Sequence, residues 1–127
     1  MNSLDANVIL RFLLNDLPEQ SARAKRLIAT SQCYASDVIL TEVVFVLEKL
    51  YGYSRSDAAA LLRQLINLQT IVCSEVLVEQ ALDLYTRKKQ LSFPDCYAAI
   101  EASLSGDSFR TFDKELIKHG GAHVSEP

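Results

Sequence analysis

The sequence has few residues of the kinds that break or crosslink a chain. Its 127 residues include four glycines, three prolines and no tryptophan. There is no low-complexity tract, internal repeat or linker. We therefore expect one helix-rich domain over residues 1–127, because a chain of this length can bury a core without crosslinks.

Cysteines are too few and too scattered for a disulfide framework or a thiolate zinc site. Cys33, Cys73 and Cys96 are odd in number and have no C-x-x-C spacing. They fit small core residues in a reducing compartment. The sequence also lacks a basic, apolar leader and any apolar run of roughly 18 residues. Together these absences predict a cytoplasmic protein that does not associate with membranes.

Positive charge is scarce as well. Thirteen Lys and Arg residues against sixteen Asp and Glu residues give a formal net charge of −3. This balance argues against a protein that binds nucleic acid through bulk positive charge. It leaves room for an enzyme that acts on nucleic acid at a local site.

Hydrophobic periodicity and turn residues predict strands that alternate with helices. The predicted helices cover residues 7–14, 18–30, 38–50, 54–66, 76–89, 92–104 and 113–119. The predicted strands cover residues 2–5, 33–36, 70–73, 108–112 and 122–124. This order predicts an α/β sandwich with a short, mostly parallel central sheet. Ligands of such sheets bind at the carboxyl ends of the strands.

The same patterns predict which side chains are buried. In the helix over residues 18–30, Ala22, Leu27 and Ile28 are expected to face the core. Six aromatic residues lie in apolar runs and are interpreted as core residues rather than as a base-stacking set: Phe12, Phe45, Phe93, Phe112, Tyr85 and Tyr97.

Three aspartates occupy junctions between predicted elements. Asp5 and Asp113 each follow a strand and precede a helix, and Asp95 begins a helix after Phe93 and Pro94. Each aspartate, taken singly, is more simply explained as a helix cap, because Asp is a favoured N-cap residue. The Ser-x-x-Asp spacing at residues 92–95 likewise resembles a capping box.

Glu42 differs because it lies within a predicted apolar helix. Val38 and Val46, four residues away on either side, predict that its carboxylate is pressed against an apolar surface, which is costly for a lone charge. Several carboxylates that converge on one crevice repel each other, and a divalent cation relieves that repulsion. Oxygen ligands without His or Cys indicate Mg²⁺ or Mn²⁺.

Four segments that contain these acids resemble the PIN-domain ribonucleases, and more specifically the VapC-type toxins of bacterial toxin–antitoxin pairs. The segments occur in the family's order at residues 4–11 (LDANVILR), 41–47 (TEVVFVL), 93–99 (FPDCYAA) and 111–114 (TFDK). The resemblance implies a three-layer α/β sandwich that covers essentially the whole chain.

The resemblance also implies an acidic site. Its four metal-binding and catalytic residues are Asp5, Glu42, Asp95 and Asp113. Asn7 and Thr111 match supporting polar positions that orient carboxylates or water. The sequence departs from the family where Ala6 replaces a common Thr and where Ser92 replaces an acid found in some members.

The activity implied is metal-dependent endonucleolytic hydrolysis of RNA. Arg11, which interrupts an apolar stretch, and Lys114, which follows Asp113, are candidate substrate-binding residues. The family resemblance alone implies a homodimer and a small antitoxin protein as partners.

Other functions remain open at this stage. A PIN-domain ribonuclease of RNA processing would have the same site without a toxin role. A receiver-like module also gathers aspartates at strand ends and binds Mg²⁺, but the sequence lacks an early pair of adjacent acids. A non-catalytic interaction module would use the aspartates only as caps.

Overall fold

Short parallel strands alternate with helices along the chain. The computed structural model describes residues 1–127 and divides into two compact units, Met1–Glu75 and Val76–Pro127. The helices are α1 (Ala6–Leu14), α2 (Pro18–Thr30), α3 (Asp37–Phe45), α4 (Arg55–Ile66), α5 (Glu75–Arg87), α6 (Phe93–Ser105) and α7 (Lys114–His119). The strands are β1 (Asn2–Ser3), β2 (Cys33–Tyr34), β3 (Ile71–Val72), β4 (Phe109–Arg110) and β5 (Val124–Ser125). None of the helices has the length and apolar character needed to cross a bilayer.

The first unit contains a three-stranded parallel sheet in the order β1-β2-β3. The N–H of Leu4 donates to the Tyr34 carbonyl at 2.9 Å, and the N–H of Ala35 donates to the Val72 carbonyl at 3.0 Å. Because the strands are parallel, their carboxyl ends share one edge of the sheet. Asp5 follows β1 at this edge.

Helices α1 to α4 supply the apolar core of the first unit, in which α1 packs on α2 and α3. The buried side chains include Ile9, Leu40, Val43, Leu62 and Leu65. Full burial of each such side chain contributes about 1.5–3 kcal/mol relative to exposure.

The second unit contains the two-stranded parallel sheet β4-β5, against which α6 and α7 pack. Tyr85, Phe93 and Tyr97 are buried, with ring centroids 5.5 Å and 5.9 Å apart in edge-to-face arrangements. Gly106 ends α6 with φ of 75°, a left-handed conformation that favours glycine.

The predicted α/β class with short parallel strands flanked by helices is confirmed. Two details differ from expectation. Every strand is two residues long, and the strands form two separate sheets where the sequence predicts one. The helix predicted over residues 38–50 is α-helical only to Phe45 and then π-helical over Val46–Leu50.

The prediction that Ala22 faces the core is wrong, because α2 presents a face rotated by one residue. Ser21, Ala24 and Ile28 are buried, at positions i, i+3 and i+7, while Ala22 is exposed. Leu27 is half-buried.

The prediction that all six aromatic residues lie in the core holds for only some of them. Tyr85, Phe93 and Tyr97 are buried and Phe12 is half-buried, but Phe45 is 55% exposed and Phe112 is 80% exposed. Val43 and Val44 beside Phe45 are buried while its ring points outward. Phe112 lies between the half-buried Thr111 and the exposed Asp113, so neither ring has the core position predicted for it.

Candidate active site

Asp5 caps α1 with only part of its carboxylate. Its Oδ1 accepts a hydrogen bond of 2.8 Å from the N–H of Asn7, and its Oδ2 has no hydrogen-bond partner in the protein. The side chain is exposed at the carboxyl end of β1. The capping explanation is therefore correct for Asp5, yet one oxygen remains available to a ligand.

Glu42 is exposed, which corrects the prediction that an apolar surface covers it. Its neighbour Val38 is itself 74% exposed, and Val46 is half-buried. The buried stripe of α3 runs instead through Leu40, Val43 and Val44. The carboxylate makes no ion pair or hydrogen bond, so solvation rather than a protein partner stabilises its charge.

Asp95 occupies the third position of α6, behind the cap Ser92. The hydroxyl of Ser92 accepts from the N–H of Asp95 at 3.2 Å. A full capping box would also have the Asp95 carboxylate accept from the Ser92 N–H, and that reciprocal bond is absent. Ser92 thus acts as the cap, while the half-exposed carboxylate of Asp95 has no partner.

Asp113 caps α7 more extensively than Asp5 caps α1. Its Oδ1 accepts from the N–H groups of Glu115 at 2.9 Å and Leu116 at 3.2 Å. The hydroxyl of Thr111 accepts from the N–H of Asp113 at 3.0 Å. Thr111 therefore fixes the backbone that carries this acid, and Oδ2 of Asp113 remains without a hydrogen bond.

The four acids fall into two pairs, one in each unit. Asp5 caps α1 and Glu42 lies on α3, two helices that pack together, whereas Asp95 and Asp113 belong to the second unit. No three His, Cys, Asp or Glu side chains form a group that could hold a metal ion. The donor chemistry nevertheless fits Mg²⁺ or Mn²⁺, because each acid offers a carboxylate oxygen with no partner in the protein.

A histidine links the elements of the second unit that carry the aspartates. Nε2 of His123 lies 2.7 Å from the carbonyl oxygen of Ala99 in α6. A carbonyl oxygen only accepts, so Nε2 donates this bond. The bond ties the chain just before β5 to the helix that begins near Asp95.

Two further acids, Asp37 and Glu75, lie at the carboxyl edge of the first sheet and are not among the predicted site residues. Their charges act on Cys73, which lies directly after β3. Burial raises the pKa of the Cys73 thiol above its ordinary value, and the negative charges of Glu75 and Asp37 raise it further. These charges make the edge electronegative beyond what Asp5 alone supplies. The signal in the sequence was that Asp37 and Glu75 each lie three residues after a strand, β2 and β3 respectively.

The two candidate substrate-binding cations have different surroundings. Arg11 is largely engaged: its Nη2 donates to the hydroxyl of Tyr51 at 3.0 Å, and its Nε lies 3.3 Å from Oδ1 of Asp16. The side chain is only 14% exposed. Lys114 is exposed and has no ion pair.

The sequence analysis did not predict a groove between α1 and α2, which brings three arginines together. The groove has a volume of about 580 Å³ and is lined by Arg11, Arg23 and Arg26 among others. Arg23 and Arg26 are three residues apart on α2, so they lie on one face of the helix. That spacing was the available signal.

Comparison with known families decides what kind of protein carries these acids. The PIN domain family matches residues 3–122, a span that includes all four acids and most of each unit. The chain belongs to the PIN-domain family. The comparison with curated proteins finds no match.

Membership sets the broad function. PIN domains are generally nucleases that act on RNA or DNA and typically use divalent metals. The assignment decides against the receiver-like alternative. It also confirms the resemblance at the level of the PIN domain.

Proposed function

We propose that this PIN domain, a single functional domain over residues 1–127, is a Mg²⁺- or Mn²⁺-dependent endoribonuclease and the VapC-type toxin of a toxin–antitoxin pair. The observation that carries the proposal is the family match over residues 3–122, within which four acids each keep a carboxylate oxygen without a hydrogen bond or ion pair in the protein. Capping uses only Oδ1 of Asp5 and of Asp113, so it is compatible with metal binding by the other oxygen.

The proposal assigns metal binding and catalysis to Asp5, Glu42, Asp95 and Asp113. A bound divalent ion supplies an activated water at neutral pH and neutralises charge that develops on the phosphate. Asp5 and Asp113 hold their carboxylates in place through cap hydrogen bonds made by Oδ1, which leaves Oδ2 as the ligand atom. Glu42 and Asp95 have no such restraint.

Supporting roles follow from the contacts around the acids. Thr111 positions Asp113 through the backbone, and Asn7 offers an exposed side-chain amide two residues from Asp5. Lys114 is the exposed cation beside Asp113 and serves as a substrate-binding residue. Arg11, held by Asp16 and Tyr51, contributes charge from a fixed position.

The proposed partners are RNA, a second copy of the chain and a small antitoxin, in the cytoplasm. Support for the protein partners comes from apolar side chains that the fold leaves in water. Val38, Phe45, Leu50 and Tyr51 are all at least 46% exposed around α3 and the π-helical segment. Apolar residues grouped in this way commonly mark contact surfaces.

The direct test replaces Asp5 and Asp95 separately with Asn and measures Mg²⁺-dependent cleavage of folded RNA. We expect each change to lower the rate roughly 100-fold or more, since the loss of a preorganised charge at the reacting centre typically has this effect. The matched control is Asp57→Asn. Asp57 follows the cap Ser54 as Asp95 follows Ser92, and Ser54 accepts its N–H at 3.1 Å.

Full cleavage by Asp5→Asn and Asp95→Asn would show that these acids are caps alone. The toxin role has its own test in cells. Induction of the protein should arrest growth, produce new 5′-phosphate RNA ends and do neither with Asp5→Asn. Induction without growth arrest, but with the same RNA cleavage, would indicate a PIN-domain ribonuclease of RNA processing.

A further inference from the structure

The groove between α1 and α2 combines an apolar floor with a cationic rim. Val8, Ala24 and Leu27 line it together with the three arginines. Its volume of about 580 Å³ is within the range of ligand-binding pockets, about 300–1,000 Å³. Apolar side chains such as these can pack against the faces of nucleobases, and guanidinium groups bind phosphates.

The charge of α2 differs in sign from that of the whole chain. The helix carries Arg23, Lys25 and Arg26 against the single acid Glu19. Arg23 makes only a long, exposed ion pair of 3.9 Å with Glu19. The side chain of Arg26 has no ion pair and is exposed. At least one guanidinium on the rim is therefore available to a ligand, in a protein whose net charge is −3.

The groove adjoins one of the proposed catalytic acids. Asn7 lines it, and the N–H of this same residue donates to Oδ1 of Asp5 at 2.8 Å. A ligand strand in the groove would therefore contact Asn7, the residue that is hydrogen-bonded to Asp5.

We propose that the α1–α2 groove binds a single-stranded segment of the RNA substrate, with Arg23 and Arg26 contacting its phosphates and the apolar floor contacting its bases. This inference rests on the proposed nuclease function and extends it from the acids to the path of the substrate. Charge complementarity selects RNA as the occupant, because a polyanion matches the positive rim.

The test measures binding of a fluorescein-labelled 12-nucleotide single-stranded RNA by anisotropy in EDTA, so that cleavage does not interfere. Arg26→Glu should weaken binding at least about threefold at 0.1 M salt. It should also reduce the slope of log K against log salt by about 0.7, the value for one phosphate contact on a single strand. Arg26→Lys should restore most of the affinity.

Lys25→Glu is the matched control, because it makes the same charge change on the same helix at a residue that does not line the groove. We expect it to change the affinity less than twofold. Equal losses of RNA affinity from Arg26→Glu and Lys25→Glu would contradict binding in the groove. They would indicate that RNA is attracted by the overall charge of α2. The proposal would also be wrong if the unmodified protein did not bind the RNA, or if Arg26→Glu did not change the RNA affinity. In the second case an acidic peptide would remain as a candidate ligand of the groove.

The proposed function is tested separately by Mn²⁺-dependent hydrolysis of bis(4-nitrophenyl) phosphate by the unmodified protein. This small diester does not need the groove. If the protein hydrolyses the diester but Arg26→Glu and Lys25→Glu bind RNA equally well, only the groove proposal is refuted and the nuclease proposal stands. Absence of hydrolysis, even with RNA bound in the groove, counts against the nuclease.

Discussion

The same local construction occurs twice, once in each unit, with different degrees of restraint. At β1–α1, Asp5 accepts one backbone N–H, and the side chain of Asn7 makes no bond to it. At β4–α7, the Asp113 carboxylate accepts hydrogen bonds from two backbone N–H groups. The backbone N–H of Asp113 in turn donates to the hydroxyl of Thr111. The turn before α7 is therefore the more tightly fixed of the two.

This difference bears on the choice between cap and catalytic residue. A helix of six residues such as α7 forms poorly by itself. We therefore expect its cap to contribute more to helix stability than the cap of the nine-residue α1. In both turns a single oxygen makes every cap bond. Capping and metal binding are thus compatible in one carboxylate, and the two roles can be separated by substitution.

Metal binding gives the largest effect that separates the two turns. Addition of Mn²⁺ at about 100 times its Kd should stabilise the fold by about 2.7 kcal/mol, measured by thermal unfolding. Asp5→Asn and Asp113→Asn should each reduce this gain, because each removes a charged oxygen ligand that the proposal assigns to the ion. Loss in only one variant would show that the other turn is structural, and no stabilisation of the unmodified protein would contradict a metal site altogether.

Removal of the caps tests the restraint itself. Asp5→Ala and Asp113→Ala should each cost about 0.5–2 kcal/mol in the free energy of unfolding, measured by urea denaturation without metal. The cost should be larger at Asp113, which satisfies two N–H groups. The Asn variants should stay close to the unmodified protein, because Asn is an equally good N-cap. A larger loss at Asp5 would reverse our ranking of the two turns.

Local signals explain why much of the fold was predictable from the sequence. Ser54 and Ser92 cap the helices that follow them, and Gly106 ends α6. Each of these residues acts within one turn of helix, so the helix bounds can be predicted from nearby residues. Non-local contacts were not predictable. One partner of Arg11, Tyr51, is forty residues away. Neither the exposure of Phe112 nor the separation of the strands into two sheets follows from local spacing.

The same limit applies to the site. The four acids were found because each stands at a strand end, at the start of a helix or within an apolar helix, and these are local features. The exposure of Glu42 was predicted wrongly, since the orientation of α3 depends on what its buried stripe contacts. The groove arginines have a helical spacing that resembles any solvated face until α1 is packed against α2.

The supporting polar residues give the smallest effect and the sharpest contrast between the turns. Thr111→Val removes the acceptor for the Asp113 N–H and should cost about 0.5–1.5 kcal/mol in the free energy of unfolding, whereas Thr111→Ser should retain the bond. Asn7→Ala leaves the N–H that Asp5 accepts and should change stability very little. Urea denaturation of the three variants gives the comparison. An equal cost at Asn7 and Thr111 would mean that the Asn7 side chain restrains its turn as Thr111 does, and the asymmetry between the two turns would not hold.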